Sequence, residues 1–174
     1  MTGTAGVEGV GERRTARLVL RRPLAADVPW LAAVHSDPLN YPFAPDPPHS
    51  PERARALAEM TFEDWGRDGI GYWLVEHDRE PVGVAGIKPS PFCGRPTWNL
   101  YYRFVPAARG RGFAAEATRE ALAVAAELDA GRPVVVRTRP GNQPARRLAE
   151  AIGLVRRPEL DTEDGFVVYV TAGW

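Results

Sequence analysis

A glycine-rich segment with two basic side chains joins a strand-like run to a helix-like run. Its sequence is Arg109-Gly110-Arg111-Gly112. Small residues allow several backbone N–H groups to converge on one anion, and the start of a helix adds the positive end of its dipole. The two arginines can donate charge-assisted hydrogen bonds to phosphate oxygens. These residue types in this order predict a phosphate-binding segment, here termed the 109–112 loop.

Other phosphate-binding motifs fit this segment less well. The spacing Gly110-x-Gly112-x-x-Ala115 also matches the Gly/Ala form of the dinucleotide-binding fingerprint. That fingerprint directly follows the first strand of a Rossmann sheet, whereas here five residues separate Phe104 from Gly110. A P-loop would require Gly-Lys-Ser/Thr, which the sequence lacks. An ordinary strand-to-helix turn with solvated arginines is the simplest alternative, but two glycines and two arginines exceed what a turn needs.

The surrounding elements follow an order that would position this loop. Apolar alternation or continuous apolar runs predict strands at residues 16–22, 72–76, 81–88, 97–105, 133–138, 156–159 and 166–171. Apolar residues at helical spacing predict a helix over residues 23–35 and further helices after Ser50, Gly112 and Asn142. Ser50 and Asn142 are expected to act as N-caps. The order β, α, α, β, β, β, α, β, α, β, β predicts a mixed sheet with helices on both sides.

Composition and charge exclude several classes of function. Basic and acidic residues balance at 22 each, so no net field favours nucleic acid or an anionic membrane. The single Cys93 excludes an intrachain disulfide and fits a reducing cytoplasm. No apolar run approaches the length of a membrane span, and the histidines lack metal-ligand spacing. We expect a disordered leader at residues 1–14 and one cytoplasmic domain over residues 15–174, without a metal.

The 109–112 loop and a second segment together resemble a known family. Arg109-x-x-Gly112-x-Ala114 is similar to the signature Gln/Arg-x-x-Gly-x-Gly/Ala of the GNAT acetyltransferases, in which this loop binds the pyrophosphate of acetyl-CoA. The family's second acyl-CoA motif resembles Asn142-x-x-Ala145-x-Arg147-Leu148-x-Glu150-x-x-Gly153-Leu154. Residues 16–22, 36–38 and 80–86 are similar to the branch that contains the ribosomal-protein N-terminal acetyltransferases. Order and spacing agree from about residue 15 to residue 174.

The resemblance implies a fold and a reaction. The expected fold is the α/β (α+β) GNAT fold, a mostly antiparallel twisted sheet whose fourth and fifth strands, residues 97–105 and 133–138, splay apart. The expected reaction transfers an acetyl group from acetyl-CoA to a primary amine, either a protein N-terminal α-amine or a small-molecule amine, in a monomer or homodimer. Pantetheine would pair with the exposed strand edge, and a free backbone N–H near Phe104 or Val105 would polarise the thioester carbonyl. The expected cofactor-binding residues are Phe104, Val105, Arg109, Gly110, Arg111, Gly112, Phe113, Ala114, Asn142 and Arg147.

Three positions depart from the family pattern. Many relatives have tyrosine at the position of Ala149, and the ribosomal-protein branch often has serine at that of Ala145. The position of Asn99 often carries glutamate. The sequence therefore nominates no catalytic side chain. This absence favours an α-amine, whose pKa of about 7.7–8.0 leaves more of it neutral than lysine at about 10.4. A non-catalytic acyl-CoA-binding or regulatory module with the same fold is the alternative.

Aromatic and acidic residues are the candidates for the amine site. The expected substrate pocket is lined by Tyr41, Phe43, Trp65, Trp73, Asn99 and Tyr101. Ordinary packing accounts equally well for these aromatic residues. The acids Asp46, Glu63 and Asp64 could bind a cationic substrate, although charged residues of this kind are usually solvated.

Overall fold

The computed structural model describes residues 10–43 and 49–174. In these two segments the chain forms one eight-stranded sheet in the order β1-β2-β3-β4-β5-β6-β8-β7. The strands are β1 Glu12–Arg14, β2 Val19–Arg21, β3 Tyr72–His77, β4 Glu80–Pro89, β5 Trp98–Phe104, β6 Val134–Thr138, β7 Val155–Arg156 and β8 Val167–Val170. The α-helices are α1 Val28–Ser36, α2 Pro51–Asp68, α3 Phe113–Asp129 and α4 Gln143–Ala151. Only the β5–β6 pair is parallel, so the predicted mixed, mostly antiparallel sheet is confirmed.

The two faces of the sheet carry different helices, as predicted. Side chains of a strand alternate between its faces. On β3, Tyr72 and Leu74 pack in one cluster with Leu31 of α1 and Ala58 of α2. Trp73 and Val75 belong instead to the main core, which includes residues of α3. We call the face that carries Tyr72 and Leu74 the acceptor face.

Local sequence signals set the ends of the helices. The hydroxyl of Ser50 accepts a hydrogen bond from Arg53 N at 3.2 Å, and α2 ends at Gly69 with φ 68°. The side chain of Asn142 accepts from Ala145 N at 3.2 Å. Each cap satisfies a backbone donor that the first turn of a helix leaves free, so both N-cap predictions are confirmed. No helix in the described part of the chain is long and apolar enough to cross a membrane.

The N-terminal prediction was wrong for its last residues. The disordered leader was expected to run to residue 14, but Glu12–Arg14 forms strand β1 and pairs with β2. The side chain of Arg13 donates to Glu120 at 2.6 Å and to Glu127 at 2.9 Å, both on α3. These distant contacts order a segment whose own composition predicts no structure. Residues 1–9 lie outside the described part of the chain.

The strand predicted at residues 156–159 is shorter and begins earlier. It spans Val155–Arg156, and a 3₁₀ turn follows at Pro158–Leu160. Proline has no backbone N–H to donate to a neighbouring strand, which explains why β7 ends before Pro158.

Candidate active site

Strands β5 and β6 diverge soon after they begin. They pair only at Trp98↔Val134 and Asn99↔Val135, and Trp98 N donates to Pro133 O at 2.8 Å. The predicted splay of these two strands is therefore confirmed. Beyond Asn99 no described strand pairs with this edge of β5, and the space between the two diverging strands is here termed the β5–β6 opening.

The backbone of β5 directs alternate amides into this opening. Val105 N donates to Val82 O at 3.1 Å, so this amide faces β4. Because backbone groups alternate in direction along a strand, the N–H groups of Leu100, Tyr102 and Phe104 face the other edge. The expectation of a free N–H at Val105 was wrong, since β4 already uses it. The N–H of Phe104, the other residue named for this role, faces the opening.

The 109–112 loop depends on two left-handed glycines. Gly110 and Gly112 have φ values of 74° and 80°, a region that other residues rarely adopt. Helix α3 starts directly afterwards at Phe113, and no described side chain caps its first turn. Its first backbone N–H groups are thus available to an anion at the end of β5.

Arg109 does not point into this loop. Its Nε donates to Phe104 O at 3.1 Å, and its Nη2 donates to Leu39 O and to Asn40 Oδ1, each at 2.9 Å. The predicted direct contact of this guanidinium with phosphate does not agree with this geometry. Phe104 O points to the same edge of β5 as Phe104 N–H, so these three oxygen acceptors hold the side chain at the end of that edge, beside the segment of Leu39 and Asn40.

Arg111 is also held by protein groups. Its Nη2 lies 3.0 Å from His77 Nε2, and its Cζ lies 4.6 Å from the centre of the Phe113 ring. The side chain of Arg111 therefore lies on the side of the 109–112 loop where β3 turns into β4.

The second motif begins at the start of α4, which follows β6, the strand on the other side of the opening. Asn142 uses its Oδ1 as the N-cap of α4, which leaves its amide nitrogen to donate elsewhere. Arg147 is exposed on the same helix. Ala149 is 2% exposed and packs in the main core. Its methyl side chain offers no polar group to the opening.

Two of the predicted pocket residues lie together on the acceptor face. Asn99 Nδ2 donates to the hydroxyl of Tyr72 at 2.6 Å, and the rings of Tyr72 and Tyr101 lie 5.0 Å apart. Burial raises the pKa of Tyr72, so its hydroxyl stays protonated. Asn99 and Tyr101 therefore form one polar and aromatic surface next to the β5–β6 opening.

Tyr41 extends this surface. Its ring lies 3.8 Å from Cζ of Arg103, and its hydroxyl lies 3.1 Å from His35 Nδ1. Burial raises the pKa of Tyr41 to about 12 and lowers the pKa of His35 to about 4, so both are uncharged near neutral pH. Phe43 is 41% exposed at the end of the same segment.

The two tryptophans predicted in the pocket belong to the core. Trp65 is 3% exposed and donates from Nε1 to Tyr72 O at 3.0 Å. Trp73 is fully buried and donates from Nε1 to Val10 O at 2.7 Å. Each indole N–H thus has a backbone acceptor inside the fold, and neither ring is available to line a pocket.

The two candidate acids that the structure describes, Glu63 and Asp64, do not form a site for a cation. The carboxylate of Asp64 is 1% exposed and pairs with Arg67 and with Lys88, the latter at 2.9 Å. Glu63 is exposed on α2, and Asp46 lies outside the described residues. Since Asp64 already has two cationic partners, the suggestion that it binds a cationic substrate is wrong.

Comparison with known proteins agrees with this geometry. Residues 17–155 match a protein family described as "Acetyltransferase (GNAT) domain". The chain belongs to the GNAT acetyltransferase family. Its mixed sheet, with helices on both faces and the β5–β6 opening, is the GNAT fold, and the chain is an acetyltransferase by this membership.

Solved structures share this fold over nearly the whole chain. An acetyltransferase from Agrobacterium tumefaciens str. C58 has a TM-score of 0.78 at 25% identity, covering 91% of this chain and 92% of that chain. A GNAT-family acetyltransferase from Bacillus anthracis has a TM-score of 0.67 at 18% identity, covering 91% and 95%. RimL, a ribosomal L7/L12 alpha-N-protein acetyltransferase solved in complex with coenzyme A, has a TM-score of 0.67 at 17% identity, covering 92% and 97%.

Sequence analysis missed several residues around the loop. Arg17 and His77 contact Arg111, and Asn40 contacts Arg109. His77 lies in a hairpin and Asn40 in a proline-rich loop, where polar residues are ordinary, so neither gave a local signal. Their partners are 34 or more residues away in sequence.

Proposed function

We propose that this GNAT enzyme transfers an acetyl group from acetyl-CoA to a primary amine by direct attack in a ternary complex. The observation that carries the proposal is the β5–β6 opening, which ends at the 109–112 loop and the uncapped start of α3. The RimL structure, which has the same fold, contains coenzyme A. A monomer or homodimer in the cytoplasm remains our expectation.

Backbone groups supply most of the proposed cofactor contacts. The pyrophosphate binds to amides of the 109–112 loop and of Phe113 and Ala114. Pantetheine pairs along the free edge of β5, as an added strand does. The amide nitrogen of Asn142 donates to this arm, and the exposed Arg147 reaches the phosphates.

The reaction then requires a polarised thioester carbonyl. The Phe104 N–H, which faces the opening, donates to the carbonyl oxygen as negative charge develops there. The neutral amine attacks the carbonyl carbon, a C–N bond forms, and the C–S bond breaks to release the CoA thiolate. With a thiol pKa near 8.5, this thiolate is a tolerable leaving group. The proton lost by the nitrogen goes to the thiolate or to solvent.

The described residues of the acceptor face offer only weak bases. Asn99 cannot titrate, and burial lowers the pKa of His35 to about 4. Burial also lowers the pKa of His49, whose ring lies 5.2 Å from that of Tyr41. An amine that is already partly neutral at pH 7 suits such a site. We therefore propose a protein N-terminal α-amine or a small amine of low pKa as the substrate.

Two measurements test this proposal. Isothermal titration should detect binding of acetyl-CoA by the folded protein. Release of free CoA thiol should depend on an added amine, in a screen of N-terminal peptides, amino acids and aminoglycosides. Binding without any amine-dependent release would favour the non-catalytic alternative, and no binding at millimolar acetyl-CoA would refute the proposal.

A matched pair of variants localises the binding. Gly110→Trp should abolish acetyl-CoA binding, since Gly110 has a φ of 74°, an added Cβ there meets nothing within 4 Å, and the large ring would occupy the space at the loop that the pyrophosphate is proposed to fill. Gly94→Trp is the control, because Gly94 has a similar φ of 73° and an added Cβ would meet nothing within 4 Å. Equal loss of binding in both variants would contradict the assignment of the 109–112 loop.

A further inference from the structure

We propose that Arg17 and His77, which lie outside both acyl-CoA motifs, are positioning residues that hold the 109–112 loop in its binding conformation before the cofactor arrives. The inference rests on the proposed function of this loop. It assigns a role to the segment before β2 and to the end of β3, neither of which contacts the reacting atoms.

Glu116 fixes the guanidinium of Arg17. Glu116 lies in the first turn of α3, and its Oε2 accepts from Arg17 Nε at 2.8 Å. Its Oε1 accepts from the backbone N of Arg17 at 2.8 Å and from the hydroxyl of Thr15 at 2.5 Å. A carboxylate held by backbone, hydroxyl and guanidinium donors leaves Arg17 little freedom to move.

Arg17 then holds the backbone of the loop. Its Nη1 donates to the carbonyl oxygen of Arg111 at 2.9 Å. The C=O of Arg111 and the N–H of Gly112 belong to one trans peptide plane and point in opposite directions. Fixing the carbonyl toward Arg17 therefore directs the Gly112 N–H away from Arg17, and the loop amides keep one arrangement without a ligand.

His77 holds the side chain of the same residue. Its Nδ1 lies 3.0 Å from Arg17 O, and a carbonyl only accepts, so Nδ1 carries the hydrogen. Nε2 then has a lone pair, which accepts from Arg111 Nη2 at 3.0 Å; the same nitrogen also lies 3.3 Å from Oδ2 of Asp78, whose side chain is 88% exposed. The imidazole also lies 4.6 Å from the Phe113 ring. One imidazole thus links Arg17 to Arg111.

Positioning explains these contacts better than direct binding of phosphate. Glu116 neutralises the charge of Arg17, with Arg17 Nη2 at 2.7 Å from its Oε2. A glycine-rich loop has many accessible conformations, and ordering it in advance removes that entropic cost from cofactor binding. The expected signature is a change in acetyl-CoA affinity with little change in the chemical step.

The test compares Arg17→Ala with Arg14→Ala. Arg14 is a matched control because its side chain is 70% exposed and pairs with its neighbour Glu12. Arg17→Ala should raise the Kd and KM for acetyl-CoA roughly tenfold, the loss of about one hydrogen bond, and leave kcat nearly unchanged. Arg14→Ala should match the wild type. Loop exchange, measured as hydrogen exchange at the hydrogen-bonded amides that flank the loop, Arg109 N to Pro106 O and Glu116 N to Gly112 O, should accelerate in Arg17→Ala and not in Arg14→Ala.

Variants at His77 separate hydrogen bonding from packing. His77→Phe keeps a ring beside Phe113 but removes both nitrogens, and it should also raise the acetyl-CoA KM. His77→Gln carries one donor and one acceptor at similar spacing, so it should restore much of the wild-type KM. Nitrogen NMR of the free protein at pH 8 should show the Nδ1–H tautomer of His77.

Several results would overturn the inference. One is an unchanged Kd for acetyl-CoA together with unchanged loop exchange in both Arg17→Ala and His77→Phe. Another is a fall in kcat in these variants as large as the fall in kcat/KM. A third is the Nε2–H tautomer of His77 in the free protein. If the wild type bound no acetyl-CoA, the proposed function would fail. Loop exchange and the tautomer would still decide whether Arg17 and His77 order the loop.

Discussion

Arg109 and Asn40 are joined by a hydrogen bond of 2.9 Å from Nη2 to Oδ1, although they are 69 positions apart in sequence. Asn40 is 4% exposed, and its Nδ2 donates to Val34 O at 3.0 Å. Arg103 also donates to the backbone oxygen of Asn40. This junction ties the start of the 109–112 loop to the segment that carries Tyr41 on the acceptor face. The proposed acetyl-CoA site and the proposed amine site are therefore connected through these hydrogen bonds.

A double-mutant cycle should measure this connection. Arg109→Ala and Asn40→Ala should each destabilise the protein, and their effects on the free energy of unfolding should be non-additive by about 1 kcal/mol, as expected for residues in contact. Urea denaturation of the two single variants and the double variant gives the coupling. Arg147→Ala, an exposed arginine on α4, is the control and should leave stability within about 0.5 kcal/mol. Strict additivity of the two changes would show that the contact does not form in solution.

Gly83 should be intolerant of even one added methyl group. A Cβ there would lie 2.6 Å from Cδ1 of Phe104 and 2.7 Å from the backbone oxygen of Arg103. Because β5 would have to shift, Gly83→Ala should cost about 1–3 kcal/mol of stability and lower kcat/KM for acetyl transfer.

The control for Gly83→Ala is the same substitution at Gly66 within α2. At Gly66 the atom nearest to an added Cβ is 4.0 Å away. Alanine also favours a helix more than glycine does, so Gly66→Ala should stabilise the folded protein by up to about 1 kcal/mol. Thermal and urea unfolding compare the two variants. A neutral Gly83→Ala would mean that β4 and β5 are less closely packed at this point.

His35 should make the protein less stable as the pH falls. Burial lowers its pKa from 6.5 to about 4, so between these values the unfolded chain binds a proton that the folded chain does not. The contribution of His35 to the free energy of unfolding is therefore constant above about pH 6.5 and decreases as the pH falls below that value. The loss should be on the order of 2 kcal/mol between pH 7.5 and pH 5.

The variant His35→Asn provides the comparison. Asparagine keeps an acceptor near Tyr41 but does not titrate in this range. Urea unfolding at both pH values should show a smaller pH-dependent loss in the variant than in the wild type. An equal loss in both proteins would show that His35 protonates as easily in the folded state as in the unfolded chain.

The pH dependence of the reaction should follow the substrate. Without a titrating base near Asn99, kcat/KM should rise with pH and level off near the pKa of the amine. Steady-state assays at saturating acetyl-CoA, with two amines of well-separated pKa, should give two different inflections. One inflection common to both amines would reveal an enzyme base, and Glu63 and Asp46 would be the first residues to replace.

Local signals made much of the fold predictable from sequence. The caps Ser50 and Asn142, the left-handed Gly112 and the alternation of β5 each depend on residues within one turn or strand. Such short-range physics places the 109–112 loop after a strand and before a helix without knowledge of the rest of the chain.

The direction of single side chains could not be predicted in this way. Arg109 binds Asn40 at a separation of 69 residues, and Trp73 donates to Val10 at a separation of 63. The acceptor that a long side chain selects depends on which distant backbone oxygen the fold brings near it. The same dependence explains why β1, held to α3 by Arg13, was expected to be disordered.

The pairing of Lys88 with Asp64 bears on whether the enzyme could acetylate its own chain. Lys88 is the only lysine in the sequence, and its ammonium group lies 2.9 Å from a carboxylate that is 1% exposed. The nitrogen of Lys88 donates a hydrogen bond to this buried carboxylate, so it is held by α2. Because the sequence holds no other lysine, acetylation of a lysine of this chain by its own proposed acyl donor would first have to break the Lys88–Asp64 ion pair.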